Sequence, residues 1–255
     1  MSPTLLIVAN WKSYFSFKQA QAFFEQNGPE LQKLTGPKLQ LVLCPSFESL
    51  FLAQPWCKRS GISLGAQVCS SYAAGAHTGD VSALSLSQLG CRYAIVGHIE
   101  RRTTYHESDK QLAQQILQLF DQNITPILCI GDTLKEYQEG SSINALEEQL
   151  LPILKILNQE GKIHKKILIA YEPFWAIGAN KTAKSKDLDH VFASIDRFLA
   201  INGLINYGLL YGGGVNEAHA QELKKSNRLQ GFLIGRASTD FQSLKKIVSC
   251  LIEHD

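Results

Sequence analysis

The chain has 255 residues, 45% of them apolar and 19% charged, with 25 Lys and Arg against 23 Asp and Glu. That apolar fraction excludes a disordered chain, and a net charge of +2 argues against a protein that coats nucleic acid or holds membranes through a basic patch. No apolar run approaches the roughly 20 residues needed to span a bilayer.

A short apolar run over residues 5–9 reads as the first strand and ends in Asn10-Trp11-Lys12. Ser16 and Gln19 then form a capping box before Phe17, Ala20 and Phe24, which share one helical face. Similar short runs follow at 40–44, 63–66 and 93–96, the last leading into Gly97-His98-Ile99-Glu100-Arg101-Arg102. Ser108 and Gln111 repeat the capping signature before the stripe of Leu112, Ile116, Leu119 and Phe120. The fifth run covers 125–130. Pro152 interrupts the next stripe, Leu150, Leu154 and Leu157, and a kink is expected there.

The sixth run, 166–171, leads into Glu172-Pro173-Phe174-Trp175, followed by a stripe of Leu188, Val191, Ile195, Phe198 and Leu199. Run seven, 206–211, is followed by Gly212-Gly213-Gly214, and run eight, 231–234, by Gly235-Arg236. A last stripe places Phe241, Leu244, Ile247, Val248 and Leu251 on one face. Each run is too short for a helix and is bounded by turn residues. They recur about every 30 residues, the size of a βα unit, with no linker between them. Eight such units favour an α/β fold with one closed (β/α)8 barrel domain over residues 1–255, rather than an open doubly wound sheet.

In such a barrel, polar residues just past the strand C-termini line the active face. Lys12, His98 and Glu172 all qualify. Alone, each reads more simply as a solvated lysine, a structural histidine and a loop acid; together at one end they form a chemical set. A carboxylate in a dry pocket can take a proton from carbon. A neutral imidazole can polarise a carbonyl, and the helix expected after His98 disfavours imidazolium. An ammonium stabilises the developing oxyanion. Base, electrophile and cation specify proton abstraction beside a carbonyl. The glycines after strands 7 and 8 sit where barrels cradle phosphate. The segment 176–181 reads as a small-residue lid that closes over the site.

These residues resemble the triosephosphate isomerase family. Asn10-Trp11-Lys12, Gly97-His98-x-Glu100-Arg101-Arg102, the run from Ala170 through Gly178, Lys181-Thr182-Ala183 and Tyr211-Gly212-Gly213 occur in family order, as do Cys129-Ile130-Gly131 and Gly75-Ala76-x-Thr78-Gly79. The resemblance implies that Glu172 shuttles a proton between C1 and C2 of the triose phosphates while His98 polarises the carbonyl. Lys12 and Asn10 would contact substrate, with Glu100 supporting Lys12 and His98. Gly178, Gly214, Gly235 and the backbone of Arg236 would hold the phosphate. Pro173, Trp175, Ile177, Gly178, Lys181, Thr182 and Ala183 would form the lid, and Gly75, Thr78 and Gly79 the tip of a homodimer contact spanning 69–80. No cofactor or metal is called for.

Departures from the family pattern are also legible. Ile99 stands where a serine usually meets the resting glutamate, so Glu172 is expected to lack one partner. Gly214 replaces a serine and Val68 an interface asparagine, while Asp80 and Asp132 shorten glutamates. Arg236 replaces a glycine, and because a snug cradle leaves little room for a guanidinium its side chain is expected to point outward.

Cys44, Cys57, Cys69, Cys91, Cys129 and Cys250 contain no C-x-x-C pair and read as reduced thiols of a cytoplasmic protein. The absence of a basic start or a long apolar core near Met1 agrees with that location. Two other readings fit the same residues: another sugar-phosphate isomerase on this fold, and a weakened barrel that binds phosphates or a protein partner.

Overall fold

The computed structural model describes residues 5–176 and 185–252. Its eight strands are β1 (Leu5–Asn10), β2 (Leu39–Cys44), β3 (Ser63–Ala66), β4 (Cys91–Val96), β5 (Thr125–Ile130), β6 (Ile167–Tyr171), β7 (Tyr207–Tyr211) and β8 (Leu229–Ile234). Each pairs in parallel with the next, and β1 pairs with β8 through Leu6 with Gly231 and Val8 with Leu233, which closes the barrel. The expected strand runs lie within two residues of these bounds. Parallel neighbours need a crossover, and the helices between strands supply it on the outside.

Strand side chains alternate in and out, so two apolar layers result. Leu6, Val8, Val42, Cys44, Ile95, Ile127, Cys129, Leu168, Ala170, Leu210 and Leu233 form an inner cluster that fills the barrel. Their neighbours, including Ile7, Leu41, Leu128 and Ile169, pack against helix residues such as Phe24, Leu50, Ile116 and Leu154 in the larger outer cluster. At β3 the lumen-facing position is Gly65. A Cβ there would come within 2.6 Å of Cys44 Sγ, so the glycine leaves room for the cysteine.

Helix starts follow their local chemistry. Phe17–Leu31 and Asp109–Asp121 both begin with the expected capping boxes, Ser16 with Gln19 and Ser108 with Gln111. The helix Ser142–Gln159 continues through Pro152, burying Leu150, Leu154 and Leu157. All six cysteines are buried free thiols. Burial pushes the thiols of Cys57, Cys69 and Cys91 up to about 12, so they behave as small apolar side chains. Among the described residues, no helix is long and apolar enough to cross a membrane.

Candidate active site

The strand period that fills the barrel also builds its upper rim. Continuing the inward series past Leu6 and Val8 gives Asn10; past Leu168 and Ala170 it gives Glu172; past Leu210 and Leu233 it gives Gly212 and Gly235. These residues, with Lys12, His98, Gly213, Gly214 and Arg236, line one pocket of about 440 Å³. The structure thus brings the expected base, electrophile, cation and glycines to one face of the barrel.

Glu172 is 1% exposed. Two glycines make the space it occupies. A Cβ on Gly212 would lie 2.8 Å from Glu172 Cγ, and one on Gly131 would collide with the Glu172 carbonyl oxygen. Hydrogen bonds from Glu172 N to the Ile130 carbonyl and from Gly212 N to the Tyr171 carbonyl, each 2.8 Å, fix the turn between β5, β6 and β7. The carboxylate faces His98: Oε1 is 3.2 Å from His98 Nε2, and Oε2 accepts the Ile99 backbone N–H at 3.2 Å. Burial raises the carboxyl above the usual glutamate range, against the opposing pull of His98, the Ile99 amide, Lys12 and the Cys129 thiol. Ile99 brings no side-chain hydroxyl to this carboxylate, so what position 99 offers comes from its backbone. The main chain at 99 supplies a donor that no side-chain change removes.

His98 is the N-cap of the short helix Ile99–Thr103, and its Nδ1 accepts the Glu100 backbone N–H at 3.3 Å. A nitrogen that accepts carries no proton, so the neutral ring holds its hydrogen on Nε2, the atom turned toward Glu172. Arg102 braces the same turn, donating from Nε to the Gly97 carbonyl at 2.9 Å and from a terminal nitrogen to Asp109 at 2.7 Å.

Lys12 is one of three non-glycine residues in the left-handed region among those described, with φ of 49°. Such a conformation persists only where its surroundings over-determine it. Here the Lys12 N–H donates to Asn10 Oδ1 at 3.0 Å, and the Lys12 carbonyl accepts from Gln67 Nε2 at 2.8 Å. Gln67 also donates to the Cys44 carbonyl at 3.0 Å, tying the first loop to β2. Buried Trp11 anchors the loop from below, donating from its indole to the Ser238 carbonyl at 3.2 Å. The Lys12 ammonium meets Glu100 Oε1 at 2.6 Å.

The Arg236 side chain is exposed at the rim of the pocket, with its guanidinium 5.2 Å from the centroid of the Tyr14 ring. Of the expected lid, Pro173 is buried and Trp175 packs on Tyr137 at 4.4 Å between ring centroids. Trp175 Nε1 is buried and has no partner among the described residues. Asp132 accepts from Tyr171 Oη at 2.8 Å and Ser142 Oγ at 2.6 Å. Ile177, Gly178, Lys181, Thr182 and Ala183 lie outside the described residues.

In the expected contact loop, residues 72–80 are exposed without interruption, including Gly75, Thr78 and Gly79. Asp80 folds back onto Ser70 Oγ at 2.6 Å, and Arg101 is engaged by Glu107 at 2.7 Å. Sequence reading missed Gln67 and Tyr14, for which no motif stood out. It also missed the place of Cys129 beneath Glu172, which counting the strand period through β5 would have found.

The family model for triosephosphate isomerase matches residues 5–251. Curated relatives carrying that name include one from Aquifex aeolicus, 36% identical over 95% of this chain and 98% of its own. Another, from Nitrosococcus oceani, is 37% identical over 93% of this chain and 94% of its own. A third, from Thermus thermophilus, is 35% identical over 94% and 95% respectively.

Proposed function

The chain belongs to the triosephosphate isomerase family, and we propose that Glu172, His98 and Lys12 carry its reaction as base, electrophile and cation. That reaction interconverts dihydroxyacetone phosphate and glyceraldehyde 3-phosphate, a step of glycolysis and gluconeogenesis. A glutamate base with a neutral histidine is the division of labour established for the family.

The chemistry follows from where the protons sit. Glu172 removes a proton from C1 of dihydroxyacetone phosphate, the C–H electrons form the C1–C2 double bond, and the carbonyl electrons move onto oxygen. His98 Nε2–H and the Lys12 ammonium stabilise that oxygen as charge develops. His98 relays protons between the two enediolate oxygens, and Glu172 returns its proton to C2. Nothing is oxidised or reduced overall. Burial above the usual glutamate range makes the ionised Glu172 a stronger base than one in water. At rest the carboxylate is occupied by His98 and the Ile99 amide; a carbonyl that takes the His98 hydrogen frees it to turn to carbon.

Gly214, Gly235 and the Arg236 N–H receive the phosphate, with Gly178 from the segment that closes over the pocket. Pro173, Trp175, Ile177, Lys181, Thr182 and Ala183 belong to that lid, and Glu100 positions Lys12. The enzyme works in the cytoplasm as a homodimer of single-domain barrels, joined through the exposed loop that carries Gly75, Thr78 and Gly79.

The observation that carries the assignment of roles is the buried Glu172 carboxylate 3.2 Å from His98 Nε2, in a pocket that Lys12 also lines. A coupled assay started from glyceraldehyde 3-phosphate tests it. Wild type is expected to turn over, and Glu172→Gln and His98→Gln each to lose orders of magnitude in kcat. Near-normal turnover by Glu172→Gln would overturn the assignment of the base.

A further inference from the structure

We propose that Arg236 is a capture residue for the substrate phosphate, its guanidinium set on the Tyr14 ring at the mouth of the pocket to meet the incoming dianion before the backbone cradle does. The proposal deepens the reading above, since it concerns entry into the same site.

Three observations carry it. First, Lys12 and Arg236 are the two cationic side chains among the described residues that line the pocket, and they differ in availability. Lys12 is largely buried, with a side chain 15% exposed, and its charge is already matched by Glu100 at 2.6 Å. Arg236 is exposed and has no carboxylate partner among the described residues, so its field reaches solvent uncompensated. Second, the guanidinium has a seat. Tyr14 lines the same pocket, is 42% exposed, and presents its ring 5.2 Å from Arg236 Cζ. A cation over an aromatic face keeps all its N–H donors free at the edge. The seat therefore holds the charge at the pocket mouth without consuming the groups that bind phosphate. Third, Arg236 opens the turn Arg236–Thr239, pinned by Ser238 N and Oγ to the Gly235 carbonyl at 2.8 and 2.7 Å. Its backbone is fixed by that turn, and its side chain projects to the exposed Tyr14 ring. The N–H that belongs to the cradle and the guanidinium that faces solvent thus occupy one residue, and an anion drawn to the second is delivered beside the first.

A charge acting at the mouth on an approaching dianion is screened by salt, with a Debye length of about 10 Å at 0.1 M. The steady state of wild type, Arg236→Gln and Arg236→Lys, with glyceraldehyde 3-phosphate and with inorganic phosphate as competitive inhibitor, is measured between about 0.02 and 0.5 M ionic strength. At the low end Arg236→Gln is expected to lose roughly three- to tenfold in kcat/KM and to bind inorganic phosphate correspondingly more weakly. The loss falls on KM rather than kcat and shrinks to less than about twofold at high salt, while Arg236→Lys, which keeps the charge but not the stacked planar group, recovers part of the loss at low salt. Parallel salt dependences for wild type and Arg236→Gln would overturn the proposal. A loss carried by kcat and insensitive to salt would overturn it too, by showing that the side chain serves only the shape of the turn. An inactive wild type would instead overturn the isomerase reading itself.

Discussion

The Ile99 backbone N–H donates to Glu172 Oε2 at 3.2 Å, so the residue that departs most from the family pattern near the chemistry still holds the base, through its main chain. A serine there would add a hydroxyl without displacing that amide. Hydrogen bonds to a carboxylate stabilise its charged form and lower its pKa. Ile99→Ser is therefore expected to bring the acidic limb of kcat/KM to lower pH, with kcat/KM at neutral pH changed by less than about tenfold. Paired pH–rate profiles check this, and coincident limbs would show that the side chain at 99 does not reach Glu172.

Glu172 also sets a stability trade. Burial raises its carboxyl above the ordinary value of about 4.3. Below that ordinary value the group is protonated both folded and unfolded, and its contribution is fully present. As pH climbs through the raised folded value, the unfolded chain has already released the proton and stability is lost. Glutamine has no proton to lose. Glu172→Gln is expected to melt higher than wild type at pH 8 while being almost inactive, with the gap in melting temperature closing toward pH 4. A gap independent of pH would mean that the charge is not its origin.

Gln67 is expected to act on catalysis without touching substrate. It holds the Lys12 carbonyl at 2.8 Å while Lys12 sits at φ 49°, a conformation of order 1–3 kcal/mol above the ordinary regions. Gln67→Ala releases one of the two restraints on that backbone, leaving Asn10. A fall in kcat/KM of about tenfold is expected from the displaced ammonium. A lower melting temperature with kcat/KM unchanged would show that Asn10 alone keeps Lys12 in place.

How much of this could be read from the chain depends on the kind of interaction. The strands were legible because each short apolar run ends in a turn residue, and the site was legible because three chemically complementary residues follow three of those runs. Capping boxes at Ser16 and Ser108 gave the helix starts, since Ser and Gln three apart satisfy two backbone donors between themselves. What stayed hidden is long-range. Gln67 reaches Lys12 across 55 positions, and Arg236 reaches Tyr14 across more than two hundred. Nothing local in either residue marks its partner. Ile99 shows a related limit: a side-chain comparison gives the missing hydroxyl but says nothing about the main-chain donor that remains.

Asp132 joins β6 to the turn Phe174–Ala176. Fully buried, it accepts from Tyr171 Oη and Ser142 Oγ, while its carbonyl accepts from Phe174 N at 3.0 Å. Asp132→Ala leaves the carbonyl but strands two hydroxyls, at a cost of about 3 kcal/mol. For a chain of this size that is a fall of roughly 6–12 °C in melting temperature. Asp132→Asn keeps an acceptor for Tyr171 and should lose less. Equal losses in calorimetry would place the effect in the missing charge rather than in the hydrogen bonds.

The final prediction concerns the loop at 72–80, nine exposed residues whose base is closed by Ser70 N to the Val81 carbonyl at 2.8 Å and by Asp80 on Ser70 Oγ. Tyr72 stacks on His77 with ring centroids 4.3 Å apart, which stiffens the loop from within. A projecting segment that is ordered by its own contacts is suited to enter a second copy, and a two-fold pair would exchange two such loops in one isologous contact. Asp80 and Arg101 both have partners within the chain, so the contact does not depend on an ion pair between them. Steric fit at the tip should then decide association. Thr78→Arg introduces a bulky charge where a small side chain is expected to dock. Sedimentation at micromolar concentration should give a dimer for wild type and a monomer for Thr78→Arg, with activity falling together with mass, because the partner's loop is expected beside Asn10 and Lys12. A wild-type monomer with full activity would remove the dimer from the proposed function; a monomeric Thr78→Arg with full activity would leave the dimer but separate it from catalysis.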